Sequence, residues 1–408
     1  MASVGMPDTG VGTRKHQLML AFVLFAVAYS AQTTSPVMLF YTVDLKLGGT
    51  ALTAFFAMYA IGLLPALLLG GPYSDKRGRR AVVVPSVILV VAALGTLLLA
   101  AYYGEAMIFI ARFLQGFTSG AVYSVGTVWM RELVGSKHVA RAAMIASAVM
   151  AVGFGIGPAV SGVLVQWAPW PKVLSFIIAT LLVLIAVVLV RLLPETMTVK
   201  RPGRMQLGVP RGSGAGFAWY LVPCGLLVYT FAVVGLTVFP LQIAKAGFVE
   251  VYLLLGISAF LVQGFAAVAT GWAKRIGPGT AGWIGALAAA IGCGVGYFAV
   301  QPGGWLWILP SSVALGVAGG LSLTSGLMVS DLLTPPERRG ALISMFYIVV
   351  YAGFTVPTLI SIIGGKATLE QGSTILGLGI AALVIMVILA VPGRSLVNRH
   401  RLAQTPVS

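Results

Sequence analysis

The chain has 408 residues, of which 59% are hydrophobic and only 9% are charged, and its formal net charge is +16 at pH 7. Soluble domains carry about a quarter charged residues, so this composition excludes a soluble protein and indicates a chain that crosses a membrane many times. In such a chain the basic excess indicates loops that orient helices during insertion, rather than nucleic-acid binding. The two cysteines and three histidines show no disulfide or metal-ligand spacing, and we expect neither a metal nor enzyme chemistry.

Apolar segments long enough for a membrane-spanning helix, which needs about 20 residues, occur twelve times. Because a span in lipid must satisfy its own backbone hydrogen bonds, they predict an all-α membrane protein. The first is too long for a signal-peptide core and is expected to stay as an anchor. The twelve predicted spans are 18–42, 51–70, 81–103, 106–129, 142–165, 172–191, 217–242, 250–271, 280–300, 305–328, 341–363 and 372–392.

The connectors between spans differ sharply in their basic residues. With the N-terminus inside, the inner connectors and tails hold 21 Lys and Arg, whereas the outer connectors hold only four. Positive residues stay on the cytoplasmic side during insertion, so both termini are predicted to be cytoplasmic. The longest connector, 192–216, is rich in Gly, Pro and Arg. It is interpreted as a flexible linker between two six-helix bundles, 1–191 and 217–408.

The two halves repeat one another. Three pairs of residues lie 199 positions apart: Gly78 and Gly277, Glu132 and Asp331, and Pro158 and Pro357. Gly116 and Gly316 mark a further equivalent place, where glycine favours close helix approach. A near-constant offset predicts two parallel repeats, as in transporters whose halves rock about a central site. Features found in one half only are therefore the candidates for mechanism.

The first such feature is the basic stretch from Gly71 to Arg80, in which Asp75 is the single acid. Its two glycines favour a tight turn. The pattern Gly-x-x-x-Asp-Lys-x-Gly-Arg-Arg closely resembles the signature loop between helices 2 and 3 of major facilitator superfamily transporters. That resemblance implies twelve helices in two pseudo-symmetric six-helix bundles.

The same resemblance implies a cytoplasmic latch. Asp75 is then expected to dock near the start of span 11, and Arg79 to pair with Glu132 at the end of span 4. Gly71, Arg79 and Arg80 belong to this gating set. The alternative is that Asp75 is merely a solvated loop residue.

The second feature is Arg112, which lies inside span 4. A buried arginine is costly in a span and indicates function, although snorkelling to the outer interface is an alternative. The sequence Arg-Phe-Leu-Gln-Gly that begins at Arg112 resembles a family pattern in which the arginine faces the interior, bonds to helix 1 and is linked to proton coupling. Arg112 and Gln115 are therefore assigned to coupling, with Gln32, Thr33 or Thr34 as partners.

The third feature is a glycine run in span 5. Small residues four apart allow close helix approach, so a plain packing groove is one interpretation. The run resembles the Gly-x-x-x-Gly-Pro-x-x-Gly-Gly sequence of the antiporter branch, usually drug exporters, with Ser161 as a departure. The resemblance implies packing against span 8 that resists leak. Its gating residues are Gly153, Gly157, Pro158 and Gly162.

No Asp or Glu lies in the middle of a predicted span. Many exporters of the antiporter branch have an acid in helix 1, whereas here residues 29–36 are polar but uncharged. A neutral or anionic amphipathic solute is therefore favoured over a multivalent cation, and proton coupling would need peripheral acids or another route. Polar and aromatic residues of the spans are candidates for lining a central substrate cavity. Helix packing is the alternative interpretation of each one. These substrate candidates are Gln32, Tyr59, Tyr123, Tyr229, Gln263, Tyr347 and Tyr351.

Together these resemblances imply a secondary transporter of the cell inner (plasma) membrane that exports a small amphipathic or drug-like molecule. We expect proton antiport by rocker-switch alternating access, without a cofactor, by a monomer whose partners are its solute, protons and membrane lipids. Two alternatives stay open. One is a facilitator or proton symporter that takes up a sugar or organic anion. The other is a membrane sensor or scaffold without transport.

Overall fold

The computed structural model describes residues 12–47, 49–197, 208–335, 338–364, 372–395 and 397. Every regular element within these residues is helical. The first half contains α1 (Arg14–Gln32), α2 (Thr34–Asp44), α3 (Gly49–Arg77), α4 (Arg80–Tyr103), α5 (Glu105–Val134), α6 (Val139–Trp167) and α7 (Leu174–Arg191). The second half contains α8 (Gly214–Gly216), α9 (Val222–Lys245), α10 (Val251–Ile276), α11 (Pro278–Ala299), α12 (Ile308–Leu333), α13 (Arg339–Ala352), α14 (Val356–Gly364) and α15 (Gly372–Ile388).

Short irregular turns join several of these helices into longer spans. A π-helical turn, Phe217–Leu221, precedes α9, and a second one, Leu389–Gly393, follows α15. The 3₁₀ turn Gly353–Thr355 interrupts span 11 between α13 and α14. Span 1 is interrupted at Thr33.

The predicted all-α membrane fold is confirmed. Eleven helical stretches of the described residues are long and apolar enough to cross a membrane. The predicted fourth span is α5, which has 30 residues but does not reach that apolar threshold. The reason is its content of glycine, serine and threonine together with Arg112 and Gln115, so the most polar span is also the one that carries the coupling candidates.

The prediction of a tight turn is wrong about how much of the basic stretch the turn includes. α3 continues through Gly71 and Asp75 and ends only at Arg77. The turn itself is made by Gly78, whose φ of 104° suits glycine. Two basic residues in the last turn of α3 favour this extension, because cations stabilise the negative end of a helix dipole. A Cβ at Gly71 would meet no described atom within 4 Å, and its gating role stays a prediction.

The described residues form two compact units. The first contains those of Met1–Val37 and Met58–Met205, and the second those of Met38–Ala57 and Gln206–Ser408. The change near residue 205 falls inside the predicted linker. The end of span 1 and the start of span 2 group with the second unit, where the rings of Phe40 and Tyr252 have centroids 5.5 Å apart.

Both units use glycine to bring two helices into backbone contact at equivalent places. A Cβ at Gly116 of α5 would lie 2.0 Å from the carbonyl oxygen of Tyr59 in α3. A Cβ at Gly316 of α12 would lie 2.4 Å from the carbonyl oxygen of Val262 in α10. Real Cβ atoms do not approach a carbonyl oxygen so closely, so the predicted packing role of both glycines is confirmed.

Candidate functional site

Arg79 joins the ends of three helices at the predicted cytoplasmic side of the first unit. Its Nη2 donates to Glu132 Oε1 at 2.7 Å, and its Nε lies 3.2 Å from both carboxylate oxygens of Glu132. Its Nη1 donates to Asp75 Oδ1 and to Ser74 Oγ, each at 2.6 Å. The pairing of Arg79 with Glu132 that the family resemblance implied is therefore present. We call Asp75, Arg79, Glu132 and their neighbour Glu195 the charged cluster.

Burial and the neighbouring charges shift the pKa of Arg79 in opposite directions. The side chain is only 7% exposed, whereas that of Asp75 is 41% exposed. Burial disfavours the charged guanidinium, but the hydrogen bonds to Glu132 and Asp75 outweigh this and raise the pKa of Arg79 above its ordinary value. The cluster thus keeps its positive centre at every physiological pH, and Asp75 retains a face that a further partner can approach.

Glu195 is the member of the cluster that sequence reasoning missed. Its Oε1 accepts from the backbone N–H of Arg79 at 3.0 Å, and its Oε2 accepts from that of Arg80 at 2.9 Å. A carboxylate at a helix N-terminus satisfies free N–H groups and is stabilised by the helix dipole. Glu195 therefore caps α4 from 115 or more residues away in sequence. One sequence signal precedes it: Glu195 lies in the Leu-Pro-Glu-Thr segment 193–196 at the end of the first half.

The start of the linker is bound to the same cluster. Thr196 Oγ1 donates to Glu132 Oε2 at 2.5 Å, and Trp129 Nε1 donates to the carbonyl oxygen of Pro194 at 3.2 Å. The exposed Arg80 side chain donates to the carbonyl oxygen of Arg191 at 2.8 Å. The described beginning of the predicted linker is thus attached to the first unit, while residues 198–207 of the linker lie outside the described part of the chain.

A second polar cluster surrounds Arg112, which is 2% exposed and so does not snorkel to an interface. Its Nη1 donates to Gln115 Oε1 at 2.5 Å and to the carbonyl oxygen of Ala31 at 3.3 Å. Gln115 Nε2 in turn donates to the carbonyl oxygen of Ser30 at 2.8 Å and contacts Thr34 Oγ1 at 3.3 Å. The expected bond to helix 1 is present, although it uses backbone oxygens.

The interruption of span 1 explains why backbone oxygens are the hydrogen-bond acceptors for Arg112 and Gln115. α1 ends at Gln32, and the last carbonyls of a helix have no partner within the helix. Pro36 supplies no N–H, and its ring disfavours a continuous helix across the carbonyl of residue 32. Donors from α5 occupy the carbonyls that this break leaves available. Of the three predicted partners only Thr34 joins the cluster, whereas Gln32 accepts from Ser35 at 3.3 Å.

Two tyrosines among the substrate candidates are buried in the first unit, and one of them contacts Arg112. The guanidinium carbon lies 4.6 Å from the ring centroid of Tyr59, within cation–π distance. Tyr123 is buried and meets the ring of Phe154 edge-on at 5.6 Å. Both were substrate candidates, and the structure places Tyr59 directly against the coupling residue.

The glycine run in α6 contacts α1 at this same break. A Cβ at Gly153 would lie 2.7 Å from the carbonyl oxygen of Phe25, and one at Gly157 would lie 2.6 Å from that of Tyr29. Thr33 Oγ1 donates to the carbonyl oxygen of Gly157 at 3.1 Å. The closest neighbour of these two glycines is therefore α1 of the same unit, whereas their expected packing against span 8 stays a prediction.

Pro158, Ser161 and Gly162 are the remaining residues of interest in the glycine run. α6 continues through Pro158 without an interruption, and Gly162 is buried. Ser161, the departure from the family pattern, donates to Ser175 Oγ of α7 at 3.1 Å. The substituted position thus makes a contact that glycine could not make.

In the second unit, three of the substrate candidates come together. Tyr229 of α9 and Tyr351 of α13 have ring centroids 5.3 Å apart, and Tyr347 lies 6.2 Å from Tyr351 along α13. Gln263 is partly buried on α10, and its assignment stays a prediction.

A family described as Major Facilitator Superfamily matches residues 20–358 of the chain. The chain belongs to the Major Facilitator Superfamily. It is a multi-pass transporter protein of the cell (inner) membrane, and its fold implies a small-molecule substrate.

Solved structures of the superfamily share this fold over nearly the whole chain. A mutant of the peptide transporter POT matches with a TM-score of 0.78 at 13% identity, covering 98% of this chain and 100% of that one. A D-xylose-proton symporter matches with a TM-score of 0.68 at 17% identity, covering 92% and 96%. At such identities the likeness concerns the fold and not the substrate.

Curated relatives of this superfamily member match over shorter segments. The multidrug resistance protein MdtL of Klebsiella pneumoniae (strain 342) is 25% identical over 173 residues, 42% of each chain. The multidrug resistance protein MdtM of Salmonella typhimurium (strain LT2) is 30% identical over 144 residues, 35% of this chain and 34% of that protein. The chain thus matches about two fifths or less of the length of these relatives.

Proposed function

We propose that this protein exports small amphipathic or drug-like molecules by proton antiport and rocker-switch alternating access. The observation that carries the proposal is that two family features share one segment of α1. The glycine run of α6 contacts Phe25 and Tyr29, and Arg112 and Gln115 bond to the carbonyls of Ala31 and Ser30. In this proposal a change at the coupling cluster moves α1 and thereby reaches the glycine contact. The names of the partial relatives, which are multidrug resistance proteins, support the same direction.

The charged cluster supports a latch role in this cycle. Arg79 holds Asp75 and Glu132 together, and Asp75 remains 41% exposed. Docking of Asp75 on the start of span 11 would close the predicted cytoplasmic side. Arg79, Arg80 and Glu132 would then position Asp75, because the guanidinium and the Glu195 cap fix the turn that follows it.

Uptake by a facilitator or proton symporter is the second candidate. The absence of Asp and Glu from the middle of the spans favours it, because many exporters of the antiporter branch carry their proton on such an acid. Proton antiport in this chain would need the peripheral acids or another route.

The test is proton and solute flux in proteoliposomes of the purified protein, with chloramphenicol, ethidium and xylose as probes. We expect solute-dependent proton flux opposite to solute flux in the wild type. Gly157→Ala should abolish it, because the new Cβ would lie 2.6 Å from the Tyr29 carbonyl oxygen. Gly95→Ala is the matched control, since a Cβ there meets no described atom within 4 Å.

Three results would separate the candidates. Solute equilibration without proton flux would contradict antiport and favour the facilitator. Proton flux in the same direction as solute flux would favour the symporter. Loss of flux in Gly95→Ala as large as in Gly157→Ala would remove the glycine contact as the basis of the proposal.

A further inference from the structure

Helices α3 and α5 touch along a line of glycines that passes close to Arg112. We call this line the glycine seam, and its members are Gly62, Gly116 and Gly120. A Cβ at Gly62 would lie 2.1 Å from the carbonyl oxygen of Phe113, and one at Gly120 would lie 2.5 Å from that of Leu63. Gly116, one turn after Arg112 on α5, meets the carbonyl oxygen of Tyr59 in the same way. Backbones in contact at three places leave little freedom to slide, so the seam fixes where Tyr59 lies relative to Arg112.

The seam brings an aromatic face and a buried cation together. The guanidinium carbon of Arg112 lies 4.6 Å from the ring centroid of Tyr59, and the two residues are 2% and 7% exposed. The same guanidinium donates through Nη1 to Gln115 and to the carbonyl oxygen of Ala31. Tyr59 therefore lies beside the group that bonds α5 to α1.

The chemistry inside these spans gives the ring a purpose. A cation within a span loses much of its hydration and needs electron-rich neighbours. α3 and α5 carry acids only in their first or last turns, namely Asp75, Glu105 and Glu132. The groups that these two helices place further inside are neutral, and an aromatic face attracts a desolvated cation through its quadrupole. The ring of Tyr59 therefore stabilises the Arg112 guanidinium where it lies.

The second unit repeats the seam without this pair. Gly316 approaches the carbonyl oxygen of Val262, so Val262 takes the place that Tyr59 has beside Gly116. Four residues before Gly316 the chain has Ser312 in place of Arg112, and its hydroxyl bonds within its own helix. The seam is common to both units and is a fold requirement. The ring accompanies the cation, which indicates that it serves Arg112 and not helix packing alone.

We propose that Tyr59 is a positioning residue for Arg112. Its ring face holds the guanidinium at the Ala31 carbonyl of span 1, and this placement is needed for transport. The inference deepens the proposed function and rests on it in that Arg112 serves coupling. It gives Tyr59 a role in coupling in place of the solute contact expected from the sequence, because Arg112 already covers the ring face.

The test changes the electron density of the ring and keeps its shape. The full chain is produced with phenylalanine carrying zero, one, two or three ring fluorines at position 59, since each fluorine weakens the attraction of the ring for a cation. We expect solute flux in proteoliposomes, with chloramphenicol, ethidium and xylose as probes, to fall stepwise by about tenfold in total. The melting temperature of the purified protein should fall in the same order by about 1–3 °C. Tyr59→Phe itself should retain the wild-type flux, because the ring face and not the hydroxyl contacts Arg112.

Two controls separate this electrostatic role from packing. In an Arg112→Gln background the same series should leave the melting temperature unchanged, because no cation remains against the ring. The series at Phe176 should change neither flux nor melting temperature stepwise. Phe176 is a fully buried ring of the same unit and has no cation contact among the described residues.

Several outcomes would overturn the inference. These are a flux that does not depend on fluorination, an equal stepwise decline at Phe176 or in the Arg112→Gln background, and loss of flux in Tyr59→Phe. The last result would assign Tyr59 to solute contact through its hydroxyl. Solute flux that follows the ring series but carries no protons in the opposite direction would overturn the proposed function alone. Proton antiport that the series leaves unchanged would overturn the positioning role alone.

Discussion

The turn between α3 and α4 and the turn between α10 and α11 occupy equivalent places in the two repeats, but they are held by different chemistry. Both are made by a glycine with positive φ, Gly78 at 104° and Gly277 at 82°. The first turn is held by the charged cluster around Arg79. The second is held by two hydroxyls: Tyr220 donates to the carbonyl oxygen of Pro278, and Ser325 Oγ donates to the same oxygen at 2.7 Å.

This difference shows which part of the repeat is a fold requirement and which is not. The backbone turn is common to both units, so the fold needs it. Among the described residues the charged cluster occurs only in the first unit, because Pro278 takes the place of Arg79 in the second unit. Asp331, the counterpart of Glu132, instead pairs with Arg339 at 3.0 Å within its own connector. A neutral anchor holds the second turn, and we assign the charges of the first turn to the proposed latch.

Of the changes to these two turns, removal of Arg79 should have the largest effect on stability and solute flux. Arg79→Ala leaves the partly buried Glu132 without its cation, and breaking such a pair costs about 2–4 kcal/mol. We expect that loss in the free energy of unfolding of the purified protein, together with loss of solute flux. Pro278→Ala, at the equivalent position, should change neither by a comparable amount. Equal effects at the two positions would contradict a special role of the first turn.

Substitution of the two turn glycines, Gly78 and Gly277, should have the next largest effect on stability, and the two variants form a matched pair. An alanine at either position adopts positive φ at a cost of about 1–2 kcal/mol. At Gly78 the new Cβ would also lie 2.6 Å from Glu195 Oε2, whereas at Gly277 it meets no described atom within 4 Å. Gly78→Ala should therefore lower the melting temperature more than Gly277→Ala does. The opposite order would show that the Glu195 cap does not stabilise the first turn.

Neutralising the cap should have a smaller effect that depends on salt. Glu195→Gln removes the favourable charge at the start of α4, which is worth about 0.5–1 kcal/mol for an exposed group at low ionic strength. Glu250→Gln is the control, since Glu250 precedes α10 without a side-chain cap bond. The melting temperatures of Glu195→Gln and the wild type should differ at 0.05 M NaCl and converge at 1 M NaCl, because salt screens exposed charges. A difference that persists at high salt would contradict an electrostatic cap.

Removal of one hydroxyl from the neutral turn should have an effect of about the same size, but with no dependence on salt. Tyr220→Phe removes one hydroxyl, but Ser325 still donates to the Pro278 carbonyl. We expect a loss of about 0.5–1 kcal/mol in the free energy of unfolding, equal at both salt concentrations, with solute flux retained. Loss of flux in Tyr220→Phe would show that the second turn also takes part in transport.

The amino-acid sequence alone predicted the membrane class, the helical spans and the internal repeat. These follow from local properties, since the length of an apolar segment and a 199-residue offset are readable without contacts. It also predicted the Arg79–Glu132 pair and the burial of Arg112, because charged residues at fixed places in a family pattern have few alternatives. The close helix approach at Gly116 was predicted as well, but not that α3 is the helix it meets.

The partners that complete the sites depend on tertiary packing and could not be predicted from the sequence. The carbonyl of Ala31 is an acceptor for Arg112 because span 1 is interrupted at Thr33, and a backbone oxygen carries no mark in the sequence. Glu195 caps α4 across more than a hundred residues, and Gly157 contacts α1. Each of these depends on how helices distant in sequence pack together, and hydrophobic periodicity specifies that a helix is buried but not which neighbour buries it.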